Sequence, residues 1–152
     1  MAVSAVRERI LVIDHHAPSL ELMALGLERF GFAVAGAPSG AAGLAVVEAG
    51  DVDLVCLDQM TPGADGVAVC REIRRASAVP VLVLSSSDDI RDAAGVLAAG
   101  ADDIVRTPFH LSEVRERICA LLRRRDLLDR LRGPAGPPTR RGPTVVVPHG
   151  RV

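Results

Sequence analysis

Two short apolar runs, each closed by a carboxylate, constrain this chain most: Ile10-Leu11-Val12-Ile13-Asp14 and Leu54-Val55-Cys56-Leu57-Asp58. A half-exposed strand alternates apolar and polar residues; an unbroken run of four is the mark of a strand covered on both faces. Pro80-Val81-Leu82-Val83-Leu84-Ser85 repeats the pattern, while Ala33 to Ala37 and Asp103-Ile104-Val105-Arg106 are weaker versions. Between the runs the apolar period changes to that of a helix. Leu20, Met23, Ala24, Leu27 and Phe30 recur at helical spacing and Gly31 stops them. Ser39 is placed to cap a helix from Gly40 to Ala49, closed by Gly50. Val67 to Ala76, Asp88 to Ala99 and Leu111 to about Leu131 read as three more helices, with Val69, Cys70, Ile73, Val114, Ile118, Leu121 and Leu122 facing inward. Five strands alternating with five helices predict an α/β, doubly wound parallel sheet with right-handed crossovers.

The chain has 152 residues, of which 49% are hydrophobic, enough for one domain with a sizeable core and a tail. Its net charge of -1 gives no overall bias toward nucleic acid or membrane. No apolar run reaches the length of a membrane span, and Arg7, Glu8 and Arg9 break any signal-like stretch, so a cytoplasmic protein is expected. Cys56, Cys70 and Cys119 fall within apolar segments and read as reduced, buried thiols. Arg123-Arg124-Arg125 reads as a solvated helix end. Residues 1–132 are expected to form one domain, and 133–143, rich in Pro, Gly and Arg, a linker. Residues 144–152 would be a tail or the start of a missing output domain.

In open parallel sheets, ligands bind at the carboxyl ends of the strands. That rule selects Asp14, His15, Asp58, Ser85 and the neighbourhood of Thr107. Two carboxylates at one rim can hold magnesium, which takes oxygen ligands, and a metal beside an aspartate leaves it poised as a nucleophile toward a phosphoryl group. Ser85 could donate its hydroxyl to a phosphoryl oxygen. Each residue alone is equally readable as an ordinary strand-end or helix-cap group.

Together, these residues resemble the receiver domain of bacterial response regulators. The resemblance lies in Ile10-Leu11-Val12-Ile13-Asp14, Leu57-Asp58-Gln59-Met60-Thr61-Pro62-Gly63-Ala64-Asp65-Gly66, Pro80 to Ser85, and Gly100-Ala101-Asp102-Asp103-Ile104-Val105-Arg106-Thr107-Pro108-Phe109, in that order, over roughly the first 125 residues. It implies a flavodoxin-like five-stranded sheet of order 2-1-3-4-5. It places Asp58 on the phospho-acceptor and Asp14 on the first magnesium-holding acid. The Met60 carbonyl falls on a further magnesium ligand, and Ser85 on the hydroxyl residue that moves toward the phosphoryl group. Thr107-Pro108 falls on a Lys-Pro pair joined by a cis bond.

Three positions depart from the family pattern. His15 stands where a second acid belongs, and an imidazole suits zinc, copper or nickel better than magnesium. Thr107 replaces the lysine that pairs with the phosphoryl oxygens and carries no charge to do so. Arg106 should point to the other side of the sheet, and His15 or His16 could meet a phosphoryl group only as imidazolium. Ile104 replaces the aromatic residue that couples to the serine. A metal held by both adjacent histidines is disfavoured, since neighbouring positions rarely point to one centre. His15 is expected instead to fill the vacated acid site and hydrogen-bond Asp58 or Asp14.

The last third of the resemblance is to OmpR-like winged-helix regulators, whose charged dimer face falls here on Arg91, Asp102, Asp103, Glu113, Arg117 and Arg124. An isologous homodimer is therefore implied. The expected function is that of an atypical receiver, independent of conventional phosphorylation, that dimerises to control transcription through a missing DNA-binding domain. Two alternatives stand beside it. One is a ligand-gated module taking a small metabolite at the former phosphate pocket. The other is a receiver still phosphorylated slowly on Asp58 by a histidine kinase. No catalysis beyond such slow self-phosphorylation is expected, and no membrane partner.

Overall fold

The computed structural model describes residues 7–59 and 66–133. Met60, the turn at 61–65, nearly all of the expected linker and the segment 144–152 lie outside the described residues. Among the described residues five strands and five helices alternate: β1 (Arg9–Ile13), α1 (Ala17–Arg29), β2 (Ala33–Ala37), α2 (Gly40–Glu48), β3 (Leu54–Asp58), α3 (Gly66–Ala76), β4 (Val81–Ser85), α4 (Ile90–Ala99), β5 (Asp103–Arg106) and α5 (Leu111–Leu131). The strands are all parallel, in the order β2-β1-β3-β4-β5. This is the doubly wound sheet expected above.

The apolar runs build two cores because side chains alternate across a strand. Ile10, Val12, Leu54, Cys56, Leu82, Leu84 and Val105 face α1 and α5, meeting Leu20, Leu27, Val114 and Ile118. Leu11, Ile13, Val55, Leu57, Val81 and Val83 face the opposite layer, meeting Val47, Ile73 and Val96. Each large apolar side chain buried this way contributes about 1.5–3 kcal/mol. The uninterrupted runs are thus explained: both faces of β1, β3 and β4 need apolar cover.

Register then positions the site. β1 lies between β2 and β3, with Ile13 paired to Leu57, so the next residues, Asp14 and Asp58, emerge side by side. Asp58 pairs with Leu84, and Ser85 with Arg106.

Local signals account for the helix ends. Ser39 caps α2 by accepting from the Ala42 amide at 3.1 Å. Gly31 and Gly100 follow helices with φ of 98° and 119°, a left-handed conformation that other residues adopt only with strain. The fourth helix starts at Ile90, not Asp88, because the Asp89 carboxylate turns back to accept from the Arg91 amide and so becomes the cap. Phe30 continues the helical period of α1 in sequence but does not face the core. It sits at the helix end, 39% exposed, with the Arg115 guanidinium 5.1 Å from its ring centroid.

The arginine triplet is not a helix end, since α5 runs on to Leu131. Arg125 reaches across to the start of β3, donating to the Asp53 carbonyl at 2.7 Å and to its carboxylate at 3.3 Å. Asp53 is nearly buried and also accepts from the Arg9 amide at 2.7 Å. Arg9, the first residue of β1, pairs its guanidinium with Asp51. No described helix is long and apolar enough to cross a membrane.

Candidate functional site

The carboxyl rim of the sheet brings together Asp14, His15 and Asp58. One donor atom from each lies within 4.8 Å of the other two. The His15 Nδ1 is 3.8 Å from an Asp14 oxygen and 3.7 Å from an Asp58 oxygen. His15 thus stands beside both acids, but at separations longer than the hydrogen bond expected of it. Its side chain is 39% exposed, against 13% for Asp14 and 22% for Asp58, so the site opens to solvent on the histidine side.

The neighbouring histidine has a different task. His16 caps α1: its Nδ1 accepts from the Ser19 amide at 3.3 Å and lies 2.7 Å from the Ser19 hydroxyl. Its backbone amide donates to Asp14 at 2.9 Å and fixes that carboxylate. The two adjacent imidazoles thus diverge, as expected of neighbouring positions, and only His15 joins the acids.

Asp14 is held above the ordinary carboxyl value of 3.8, first by burial, while the His16 amide pulls it down. The charge of Asp58 and a hydrogen bond with it raise it further, and His15 lowers it. An acid raised on folding binds more protons folded than unfolded just above pH 3.8, so its contribution to stability falls as pH rises through that window. Asp14→Asn keeps an acceptor for the His16 amide and removes the charge. It is expected to raise the melting temperature at neutral pH and to give no gain below pH 3.8, where the wild-type carboxyl is protonated in both states. Thermal melts at the two pH values check this; an equal gain at both would exclude relief of buried charge as its cause.

Beside the acids lies a cavity of about 460 Å³ lined by Asp14, Asp58 and Thr107, with an apolar wall that includes Leu22, Met23, Phe109 and Leu111. Thr107 bonds back to the end of β4. Its amide donates to the Ser85 carbonyl at 2.8 Å and its hydroxyl to the same oxygen at 3.4 Å. The Thr107–Pro108 bond is cis. Ser85 is buried and its hydroxyl oxygen accepts from the Ser87 amide at 3.1 Å, so it is engaged by its own loop. Arg106 is exposed and is not among the cavity's described lining residues. Met60 lies outside the described residues. Gln59, next to Asp58, has a buried Oε1 with no partner among the described residues.

A family model for the response regulator receiver domain matches residues 10–119. The chain belongs to the response regulator receiver domain family. Its receiver is 43% identical over 120 residues to the transcriptional regulatory protein CseB of Streptomyces avermitilis, covering 79% of this chain and 51% of that one. It is 39% identical over 124 residues to the DNA-binding response regulator MtrA of Mycobacterium tuberculosis, covering 82% and 54%. The chain thus spans about half the length of these relatives. Among solved structures, a receiver domain from Clostridium thermocellum matches with a TM-score of 0.75 at 27% identity, covering 80% of this chain and 98% of that one. A CheY-like receiver from Methanospirillum hungatei matches with 0.77 at 22%, again covering 80% and 98%, and shows the fold alone.

Magnesium is the ion that the family implies for this rim. The donor set here fits it poorly, since the place of one oxygen donor is taken by an imidazole nitrogen. The expected association face is partly occupied within the receiver. Asp102 accepts from Arg74 at 3.0 Å and from the Val81 amide at 2.8 Å, Asp103 pairs with Arg117 at 3.1 Å, and Arg91 pairs with Asp89 at 3.3 Å. Arg74, Asp53 and Arg125 escaped the sequence reading, because each partner lies on a distant element. The cavity wall escaped it too, although Phe109 and Leu111, flanking His110 just after Pro108, were a usable signal.

Proposed function

We propose that this receiver controls a transcriptional output by dimerising, without magnesium-dependent phosphorylation of Asp58. The observation that carries the reading is Thr107, an uncharged side chain bonded to the Ser85 carbonyl where the family places a lysine. A phosphoryl group brings nearly two negative charges at neutral pH. Placed beside Asp14 with no lysine opposite, each like-charge pair at 4 Å costs about 4 kcal/mol at the effective dielectric of a protein surface. Relatives named as transcriptional and DNA-binding regulators support an output on DNA through a segment outside the described residues. A histidine kinase is then a docking partner at most, and the receiver is not an enzyme.

Intact-mass measurement after incubation with magnesium and a small acyl phosphate tests this. The expected result is no added phosphoryl group in wild type or in Asp58→Asn. Sedimentation is expected to show a dimer at micromolar concentration in both. An adduct that Asp58→Asn abolishes would overturn phosphorylation independence, and a monomer would overturn the dimer.

A second reading is favoured by the cavity itself. About 460 Å³ beside two acids, with an apolar wall, lies within the range of ligand pockets, roughly 300–1,000 Å³. A metabolite bound there would gate the receiver in place of a phosphoryl group. Thermal-shift screening separates this reading from the first, because a ligand that binds only the folded state raises its stability.

A further inference from the structure

The donor atoms of Asp14, His15 and Asp58 converge at the rim, with the imidazole standing off from both acids. Hydrogen bonds between nitrogen and oxygen close to about 2.7–3.2 Å. The His15 Nδ1 stands off at 3.7 and 3.8 Å from the two acids, equidistant between them. Two ligands on one ion, each bonded at about 2.0–2.2 Å, lie about 2.8–3.6 Å apart at octahedral or tetrahedral angles. Both nitrogen-to-oxygen separations lie just beyond that window, by about 0.2 Å or less, so a slight inward movement of each acid would bring it to ligand spacing. All three atoms lie within 4.8 Å of one another.

The surroundings suit an ion as well. The backbone amide of His16 holds Asp14 in place at 2.9 Å, the kind of outer support that orients metal ligands. His16 itself is committed to the α1 cap and does not compete. The histidine side is open to solvent, which provides an entry path.

We propose that Asp14, His15 and Asp58 form a site for a borderline divalent transition ion, of the manganese-to-zinc series, in preference to magnesium. One nitrogen and two carboxylate oxygens suit such ions, whereas magnesium requires oxygen and sheds its water reluctantly. Three protein ligands leave the remaining positions to water. The ion would fix the two acids and His15 in one arrangement and neutralise the rim, an input that needs no phosphoryl group. The inference deepens the reading above and rests on it in one respect, that His15 has displaced an acid and with it the magnesium site.

Titration of the full chain with cobalt(II), zinc(II) and magnesium chlorides, by calorimetry and by the d–d absorption of cobalt(II), tests the proposal. Cobalt and zinc are expected to bind about a hundredfold more tightly than magnesium. His15→Ala and Asp58→Asn are expected to weaken cobalt binding by about tenfold or more. His15→Asp, which keeps a ligand but makes it oxygen, is expected to narrow the cobalt-to-magnesium ratio by a similar factor. His15 is exposed, so neither of its replacements touches the core. Magnesium bound as tightly as cobalt would overturn the site. So would a cobalt spectrum unchanged in His15→Ala, which would put the ion elsewhere on the chain. The two readings fail separately. A phosphoryl adduct on a protein that still prefers cobalt supports the ion site and sinks phosphorylation independence. No adduct together with no ion preference does the reverse.

Discussion

The double replacement His15→Asp, Thr107→Lys is expected to make Asp58 accept a phosphoryl group from an acyl phosphate in magnesium, with a rate at least about a thousandfold above wild type. Removing a single charge-stabilising donor from such a site costs about 10²–10³ in rate, and here two groups are restored together. The new aspartate returns an oxygen donor to the metal rim. The new ammonium returns the counter-charge. The structure accommodates both changes. Position 15 is exposed. At position 107 the backbone bond to Ser85 at 2.8 Å survives substitution, and only the 3.4 Å hydroxyl bond is lost. The lysine stem can lie along the apolar wall of Met23, Phe109 and Leu111 while its head reaches the acids. Intact mass against time gives the rate, with Asp58→Asn added as the control. If the folded double variant gains nothing, the defect lies instead in Ser85, held by its own loop, or in Ile104.

Asp53→Ala is expected to cost about 3 kcal/mol of stability in urea denaturation, more than most surface substitutions and comparable to a core truncation. The side chain is 7% exposed and answers two donors from distant parts of the chain, the Arg9 amide and the Arg125 guanidinium. Its loss leaves a buried amide without an acceptor at the head of β1. Arg125→Ala should cost only about 1 kcal/mol, because that side chain is 35% exposed and the acid it leaves behind keeps the Arg9 amide. The comparison decides whether this network is structural. Equal costs would mean that water satisfies the Arg9 amide once Asp53 is gone. The expected order would mean that the acid pins the start of β1 and anchors the second half of α5.

Element types and their order were legible because their signals are local. A buried strand needs apolar residues on both faces, so Ile10 to Ile13 and Leu54 to Leu57 declare themselves without reference to anything else in the chain. The Ser39 cap and the stops at Gly31 and Gly100 are likewise matters of a few neighbouring residues. Asp14 and Asp58 stood out because a carboxylate that closes an apolar run demands a reason. Family resemblance supplied the strand order, and thereby their adjacency.

Other features depended on which elements meet. Phe30 obeys the period of α1 yet lies beside Arg115, because the helix ends before that residue can turn inward. Arg125 and Asp53 are 72 residues apart, and Arg74 and Asp102 are 28 apart. Nothing in the composition of either segment names its partner. The same holds for the two histidines: identical side chains at adjacent positions, one capping α1 and the other facing two acids. The sequence by itself determined that a doubly wound parallel sheet would form and that carboxylates would line its rim, since periodicity and strand ends are encoded between neighbours. Only the tertiary structure decided which imidazole joined the acids, where Thr107 turned its hydroxyl, and what walled the cavity. Those outcomes depend on register and rotamer across crossovers, where side chains far apart in the chain compete for one space.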